Sequence, residues 1–295
     1  MIIQMSAFCT PRMEPFEKIW FDNAKYSSLA FFDDRPGKLF DNLQHIRVVI
    51  PILEKGNPSK LVATTCYNKF YSECRMNLFK LINYYISDIS RKEFSVIKIH
   101  TPAEEDIVRK LWGQTKSIRT YESPRMNKNY VYYGYGYGYF GKILNYRSYF
   151  KGELISGSTG DKYYYFNEQY DRDIFVGIMN SSLFYWFYVN YSDGHNFTKT
   201  VIGDFPYNYK NDRELVSLIG ALMQDLKHYA TRKVANYKST GRVEYDEYHP
   251  NRSKPIIDEI DKVLAKHYGF SEEELDFIIN YDIKYRMGDE LGGEE

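Results

Sequence analysis

Between Tyr130 and Tyr149 the chain reads YVYYGYGYGYFGKILNYRSY, with tyrosines alternating with glycines and with Lys128, Lys142 and Arg147 beside or among them. Exposed aromatic rings next to cations form a stacking platform for nucleobases, and glycines let the backbone come close to a partner. Tyr135, Tyr137, Lys128, Lys142 and Arg147 are therefore candidate nucleic-acid contacts. The same alternation also fits a tyrosine ladder on a sheet, with every second ring packed inward, and both readings stand. Lys162 closes the stretch Ser156-Gly157-Ser158-Thr159-Gly160-Asp161-Lys162. This lacks the Gly-Lys-Ser/Thr ending of a nucleotide-binding loop and reads as a polar hairpin loop, with Lys162 available to a phosphate. In Ser192-Asp193-Gly194-His195-Asn196 the Asp-Gly pair marks a turn. His195 and Asn196 could read DNA there, because an asparagine amide bonds bidentately to adenine; the alternative is a turn that closes the apolar segment before it. With no Cys or His nearby, His195 is a poor metal ligand. Arg35 either meets a phosphate or pairs with its neighbours Asp33 and Asp34.

These candidates sit in an uneven charge distribution. The formal net charge of the 295 residues is +0. Lys116 to Lys162 nevertheless holds eight Lys/Arg against three Asp/Glu, a net of +5, and Gly241 to Glu295 holds seven against fifteen, a net of −8. Only part of the surface can therefore attract a polyanion. Thirty tyrosines bring the aromatic share to 18%, a composition that a stacking surface, a tyrosine-rich core or a sugar-binding face would share. Cys9, Cys66 and Cys74 match no zinc spacing, and an odd number of thiols suits a reducing compartment. With no apolar run long enough for a bilayer and no signal-peptide pattern, the sequence is read as cytoplasmic and without a membrane partner.

Several elements must position the candidates. Ile46 to Leu53 is a β-rich apolar run, and Pro51 within it argues for an edge or a bulge. Leu61 to Tyr67 reads as its partner strand, and Asn77 to Ile86 as a helix or helix-like connector. Thr101 to Gly113 opens with Pro and acids, as helices do. Asp173 to Val189 is apolar enough to be one buried helix. Glu214 to Val234 has helical periodicity. Arg242 to Ser253 reads as a polar linker, and Pro255 to His267 as a helix ending near Gly269. Ser271 and Glu274 form a capping box that opens a last helix.

Three stretches, taken together, resemble the carboxy-terminal half of type IIG-like restriction–modification N6-adenine DNA methyltransferases, including the target-recognition domain. The first is Arg35-Pro36-Gly37-Lys38-Leu39-Phe40 with His45-Ile46-Arg47-Val48. The second is Asn180-Ser181-Ser182-Leu183-Phe184-Tyr185-Trp186 with Ser192 to Phe197 and Asp204-Phe205-Pro206. The third is Lys254-Pro255-Ile256-Ile257-Asp258-Glu259-Ile260-Asp261 with Tyr268-Gly269-Phe270, Asn280-Tyr281-Asp282 and Tyr285-Arg286. The resemblance implies an α/β to α+β chain. Residues 1–100 would be the remnant of a doubly wound methyltransferase sheet, 101–245 a mixed α/β target-recognition domain, and 246–295 a helical segment. It implies double-stranded DNA as partner and S-adenosylmethionine as cofactor of the complete enzyme. The family's donor-binding glycine motif and its Asn-Pro-Pro-Tyr motif are absent, so this chain alone is expected to bind no cofactor and to lack catalysis. Phe40, just ahead of the Ile46 strand, matches the family's aromatic residue that stacks on the extruded adenine; a core phenylalanine is the alternative.

Four rival readings remain. Tyr132-Tyr133-Gly134-Tyr135-Gly136 and Asp204-Phe205-Pro206-Tyr207 imitate the donor-binding and catalytic motifs, but a donor site needs an apolar strand, a tight glycine turn and then a helix. Asp282-Ile283-Lys284 with Asp276 imitates a nuclease, which requires carboxylates converging on a cation. The chain could also be one subunit of a split methyltransferase, partnered by a separate catalytic chain, or an aromatic-rich module binding protein or glycan.

Overall fold

The computed structural model describes residues 1–41, 46–92, 95–134, 136–152, 162–237 and 241–288. They form two units, one of residues 1–110 and 187–195 and the other of 111–186 and 196–295. The architecture is mixed α/β.

The first unit contains β1 (Ile3–Gln4), α1 (Glu14–Asp22), β2 (Ala24–Phe32), β3 (Val48–Lys55), β4 (Val62–Asn68), α2 (Leu78–Leu81), β5 (Tyr85–Ser87), β6 (Arg91–Lys92), β7 (Ser95–Val96) and α3 (Pro102–Trp112). Five strands make one sheet in the order β1-β3-β2-β4-β5. Only β2 and β4 run parallel; the other neighbours are antiparallel. The predicted strand at Leu61–Tyr67 is present, but its partners are β2 and β5 rather than β3. Pro51 sits opposite Leu29 of β2, while β1 covers only Val48 and Val49 on the other side of β3. The proline therefore occupies a locally open edge, where its missing N–H breaks no ladder. Asn77 to Ile86 is only briefly helical: α2 is four residues long, and the chain then becomes β5.

One face of this sheet buries Leu29, Phe31, Val49 and Thr64 completely. On the other face Ala30, Phe32 and Val48 pack with Phe70 and Leu78. Further along that face, Ile52, Ser28, Ala63 and Ile86 lie in one row across four strands. Ile52 and Ile86 are each 55% exposed there, near exposed Tyr26 and Tyr84.

At the end of β2 the chain turns through a cis Arg35-Pro36 bond. The Gly37 N–H then donates to the Phe70 carbonyl at 2.6 Å. A Cβ on Gly37 would lie 2.5 Å from that same oxygen, so the approach admits only glycine.

The second unit contains β8 (Tyr130–Tyr133), β9 (Phe150–Gly152), β10 (Lys162–Tyr165), α4 (Arg172–Asn180), α6 (Lys199–Asp204), α7 (Arg213–Tyr229), β11 (Thr231–Tyr237), β12 (Gly241–Glu247), α8 (Lys254–Tyr268), α9 (Glu272–Asn280) and α10 (Ile283–Met287); α5 (Ser182–Tyr191) begins in it. β8 pairs with β10, and a separate sheet has the order β11-β12-β9. The expected helix from Glu214 ends at Tyr229, and the residues beyond Ala230 enter β11. The polar stretch after Arg242 is not a linker: its first half is β12, registered residue for residue with β11. The capping box is as expected, with Ser271 and Glu274 bonded reciprocally. Gly269 at φ 70° closes α8 in the left-handed conformation that glycine favours.

The apolar run Asp173–Val189 is two helices rather than one, because Ser181 is extended. A helix starting inside a core leaves buried N–H groups that must find acceptors. The Asp261 carboxylate supplies them, accepting from the Ser182 and Leu183 amides at 3.1 Å each. The Ser181 hydroxyl accepts from the Phe184 amide at 3.0 Å. Arg286 donates to the Ser182 hydroxyl at 3.1 Å, and the Tyr185 hydroxyl donates to Asp282 at 2.9 Å. The second and third resemblance-bearing stretches thus meet in one buried polar knot.

Burial raises the Asp261 carboxyl from its ordinary 3.8 to about 6. Between those values the folded chain holds a proton that the unfolded chain has released. Its contribution to stability therefore falls as pH rises from about 4 to about 6 and is level above that. Urea unfolding is expected to show this decline in the native chain and its absence in Asp261→Asn. Asp261→Ala, which strands two buried N–H groups, should cost about 2–4 kcal/mol at neutral pH. Gly37→Ala should cost about 1–3 kcal/mol in the same assay, because the Phe70 carbonyl must move.

Candidate nucleic-acid interface

Pairing of β8 with β10 sorts the tyrosines by face. Tyr130 is opposite Tyr165, Tyr132 opposite Tyr163, and Val131 opposite Tyr164. Side chains alternate across a strand, so Val131, Tyr133 and Tyr164 point one way and are buried. The Tyr133 ring packs edge-on against Phe197 at 5.2 Å, and burial pushes its hydroxyl up to about 12. On the other face, Tyr130, Tyr132, Tyr163 and Tyr165 form a continuous aromatic patch. Tyr130 lies 5.3 Å from Tyr163, Tyr132 lies 5.7 Å from Tyr163, and Tyr163 stacks with Tyr165 at 6.3 Å. Tyr130, Tyr163 and Tyr165 are half-buried, and Tyr132 is nearly covered.

Cations border this patch. The Arg172 guanidinium lies 5.7 Å from the Tyr130 ring centroid and donates to the Lys128 carbonyl at 2.9 Å. The 123–129 segment is held in place from several sides. Asn127 donates to the Phe166 carbonyl, Asn129 to the Asn167 and Tyr170 carbonyls, and the Ser123 amide to the Tyr165 carbonyl. This segment, which leads into Tyr130, carries exposed Arg125 and Lys128. A guanidinium at the edge of an aromatic patch can bind the phosphate backbone of a nucleic acid, and the ring faces can stack.

The sequence candidates distribute unevenly over the structure. Lys128, Lys142 and Arg147 are all exposed in the second unit. Tyr135 lies outside the described residues. Tyr137 is not a surface residue: it is 2% exposed, its hydroxyl donates to the Met179 carbonyl at 2.6 Å, and it packs on Phe197. The glycines around it give the chain freedom to fold the ring inward. Lys162 is also turned in, donating to the Phe197 carbonyl at 3.2 Å; the rest of its loop, 153–161, is outside the described residues. Asn196 is exposed in the second unit.

In the first unit, Phe40 is 38% exposed and lines a shallow open recess with Asp33, Asp34, Lys38, Leu39, Ile46 and Val48. Arg35 is exposed, and the Arg47 Nε lies 3.0 and 3.5 Å from the carboxylates of Asp33 and Asp34. His195 is exposed on a tight turn in which Gly194 adopts φ 66° and the His195 amide donates to Asp193.

Sequence reading missed Lys98, which organises that turn from below. The side chain is fully buried, donates to the Asn190 and Ser192 carbonyls at 3.0 and 2.7 Å, and faces the Phe31 ring. Burial lowers its pKa. It donates to carbonyls at the end of α5 that have no intrahelical partner. The one available signal was a lysine inside the apolar alternation of Val96, Ile97 and Ile99.

Neither imitation motif makes a site. Gly134 and Gly136 lead into a turn rather than a helix, and Tyr207 is buried against His267 at 4.7 Å. Asp282 accepts from Tyr185, Asp276 accepts from Asn280, and no group of metal-ligating side chains converges among the described residues. No helix among them is long and apolar enough to cross a membrane. Compared with protein-family models and with curated proteins, the chain matches none.

Because Tyr137 is core, Tyr137→Ala should lower stability by about 3–5 kcal/mol, and Tyr137→Phe by about 1 kcal/mol through the lost hydrogen bond. Exposed Lys142→Ala should change the melting transition little. Thermal unfolding of the three variants checks this assignment.

Proposed function

We propose that this chain is the DNA-reading portion of a restriction–modification adenine-N6 methyltransferase, and that S-adenosylmethionine binding and methyl transfer belong to a part of the enzyme outside these residues. The observation that carries the reading is the aromatic and cationic face of the β8–β10 sheet. Three half-exposed tyrosines line that face with Arg172 over the Tyr130 ring, and exposed Arg125 and Lys128 lie in the hydrogen-bonded segment that leads into β8. Phosphate contacts from such groups position a duplex without specifying its sequence. The first unit supplies the closing strands of the donor-binding sheet, with Phe40 beside the position of the extruded base.

One observation favours a second arrangement, in which the catalytic part is a separate chain. The row of Ile52, Ser28, Ala63 and Ile86, with Tyr26 and Tyr84 near it, leaves an apolar area on the first unit that another protein segment could cover. The coding sequence directly upstream distinguishes the two arrangements. An in-frame Asn-Pro-Pro-Tyr places the chemistry on the same polypeptide, and its absence favours two chains.

Calorimetry of this chain with S-adenosylmethionine should show no binding; measurable binding contradicts the assignment. Fluorescence anisotropy with a labelled duplex should show binding at low salt. Lys128→Ala should weaken it about equally for all sequences and reduce the salt slope by about one. Replacing Tyr130, Tyr163 and Tyr165 together by Phe keeps the rings and removes the hydroxyls. Binding should then fall roughly tenfold, with an unchanged melting temperature as the folding control.

A further inference from the structure

The last turn of α7 gathers cations that the face just described does not use. Lys227 places its ammonium 4.0 Å from the centroid of the Tyr146 ring. Two residues on, the Tyr229 ring carries the Arg252 guanidinium at 5.4 Å. Arg252 belongs to the short helical turn Pro250–Ser253, which is tied to the start of β11. The Thr231 hydroxyl and the His249 ring are 3.0 Å apart, and the Arg252 amide donates to the His249 carbonyl at 3.1 Å. The Tyr146 hydroxyl faces Tyr248, Arg147 follows Tyr146, and the Tyr149 ring carries Arg232 at 3.5 Å. Residues 146–149 and 248–252 thus converge on the end of one helix.

Two classes of cation meet there. Arg232 bridges Asp246 at 2.7 Å and Glu244 at 3.5 Å, and Lys233 bridges Glu247 at 2.7 Å, so these charges cancel locally. Arg147, Lys227 and Arg252 are exposed, and among the described residues none of them bridges an acid. A cation seated on a ring keeps its whole charge. Its side chain is also already ordered, so a phosphate that binds it removes less rotamer freedom. The last turn of a helix favours a cation, which accounts for Lys227 but not for Arg147 and Arg252, because both come from other segments. Over residues 142–152, 225–233 and 244–252, seven Lys/Arg stand against four Asp/Glu. The end of α7 is therefore locally cationic although the stretch from Gly241 onward is acidic as a whole.

The partner that fits is a backbone of phosphates. A protein partner needs an apolar or aromatic anchor at the centre of its interface, and here the rings of Tyr146, Tyr149 and Tyr229 already carry cations. For the same reason unpaired bases find no free platform on which to stack. We infer that the end of α7 is a second contact with duplex DNA, in which Arg147, Lys227 and Arg252 hold backbone phosphates without reading sequence. This inference rests on the DNA-reading function proposed above. It adds a contact that the β8–β10 face does not provide.

The test is fluorescence anisotropy of the full chain on labelled duplexes of unrelated sequence across a salt series. Arg147→Ala, Lys227→Ala, Arg252→Ala and the triple variant are compared with Lys262→Ala, an exposed lysine on α8 bridged to Glu259. All four positions are exposed, and unchanged melting confirms the fold. Each single variant is expected to weaken binding alike on every duplex and to reduce the salt slope by about one, and the triple variant by about two to three. Lys262→Ala should change neither. If the triple variant keeps the native affinity and slope while Lys128→Ala loses its share, the end of α7 is not a contact, although the DNA-reading function stands. Weakening confined to one duplex sequence overturns the inference, because it makes these residues base readers. Equal competition by polyglutamate, or a preference for single-stranded DNA over duplex, also overturns it. Failure of the native chain to bind any duplex at low salt removes the proposed function and this inference together.

Discussion

A helix that begins in the middle of a protein core must have its first N–H groups accepted by something other than water, and for α5 that acceptor is the Asp261 carboxylate. The contact joins residues far apart in sequence and draws Arg286, Ser182, Tyr185 and Asp282 into the same buried network. A negative group at a helix N-terminus is favoured by the helix dipole, but burial opposes its ionisation, as the raised Asp261 pKa records. The break at Ser181, the direction of α5 and the seating of α8 and α10 within the second unit all follow from this arrangement. It also gives a physical role to two polar stretches, Asn180–Ser182 and Asp258–Asp261. Their polar residues are the parts of the unit that cannot be exchanged for apolar ones without stranding a partner.

Buried cations have a similar role in the first unit. Lys98 holds the carbonyls that end α5, and Arg47 holds the paired aspartates at the end of β2. Both shape exposed turns from below, the first bearing His195 and the second bearing Arg35 and Phe40. The surface residues that a sequence reader would select are thus positioned by charged groups that lie out of view.

Patterns governed by local chemistry were legible in the sequence. The capping box at Ser271, the glycine stop at Gly269, the α3 start at Pro102 and the β3 run all depend on near neighbours, and each is present. What long-range packing decides was not. The Leu61–Tyr67 run looks like a hairpin partner for β3, but β4 takes up parallel pairing with β2. The 173–189 run has helical hydrophobicity throughout, and only a distant carboxylate allows its interruption. Arg242 to Glu247 is polar because the outer face of its sheet meets solvent, so polarity alone reads as a linker. In the tyrosine-rich stretch burial divides the rings: Val131, Tyr133 and Tyr137 are core, whereas Tyr130 keeps an outward ring. The outward patch is completed by Tyr163 and Tyr165 from a strand thirty residues further on, and no local pattern pointed to them.

The proposed function requires that much of the attraction for DNA be electrostatic, carried by exposed cations such as Lys128 and Arg125 on a chain whose formal net charge is +0. The most direct measurement is the dependence of duplex affinity on salt for the native chain. Neutralising several phosphates releases their counterions, so log K should fall linearly with log salt at a slope of about −0.9 per phosphate engaged. A slope of roughly −3 or steeper is the predicted result. Absence of duplex binding at low salt, or an affinity indifferent to salt, would contradict the account.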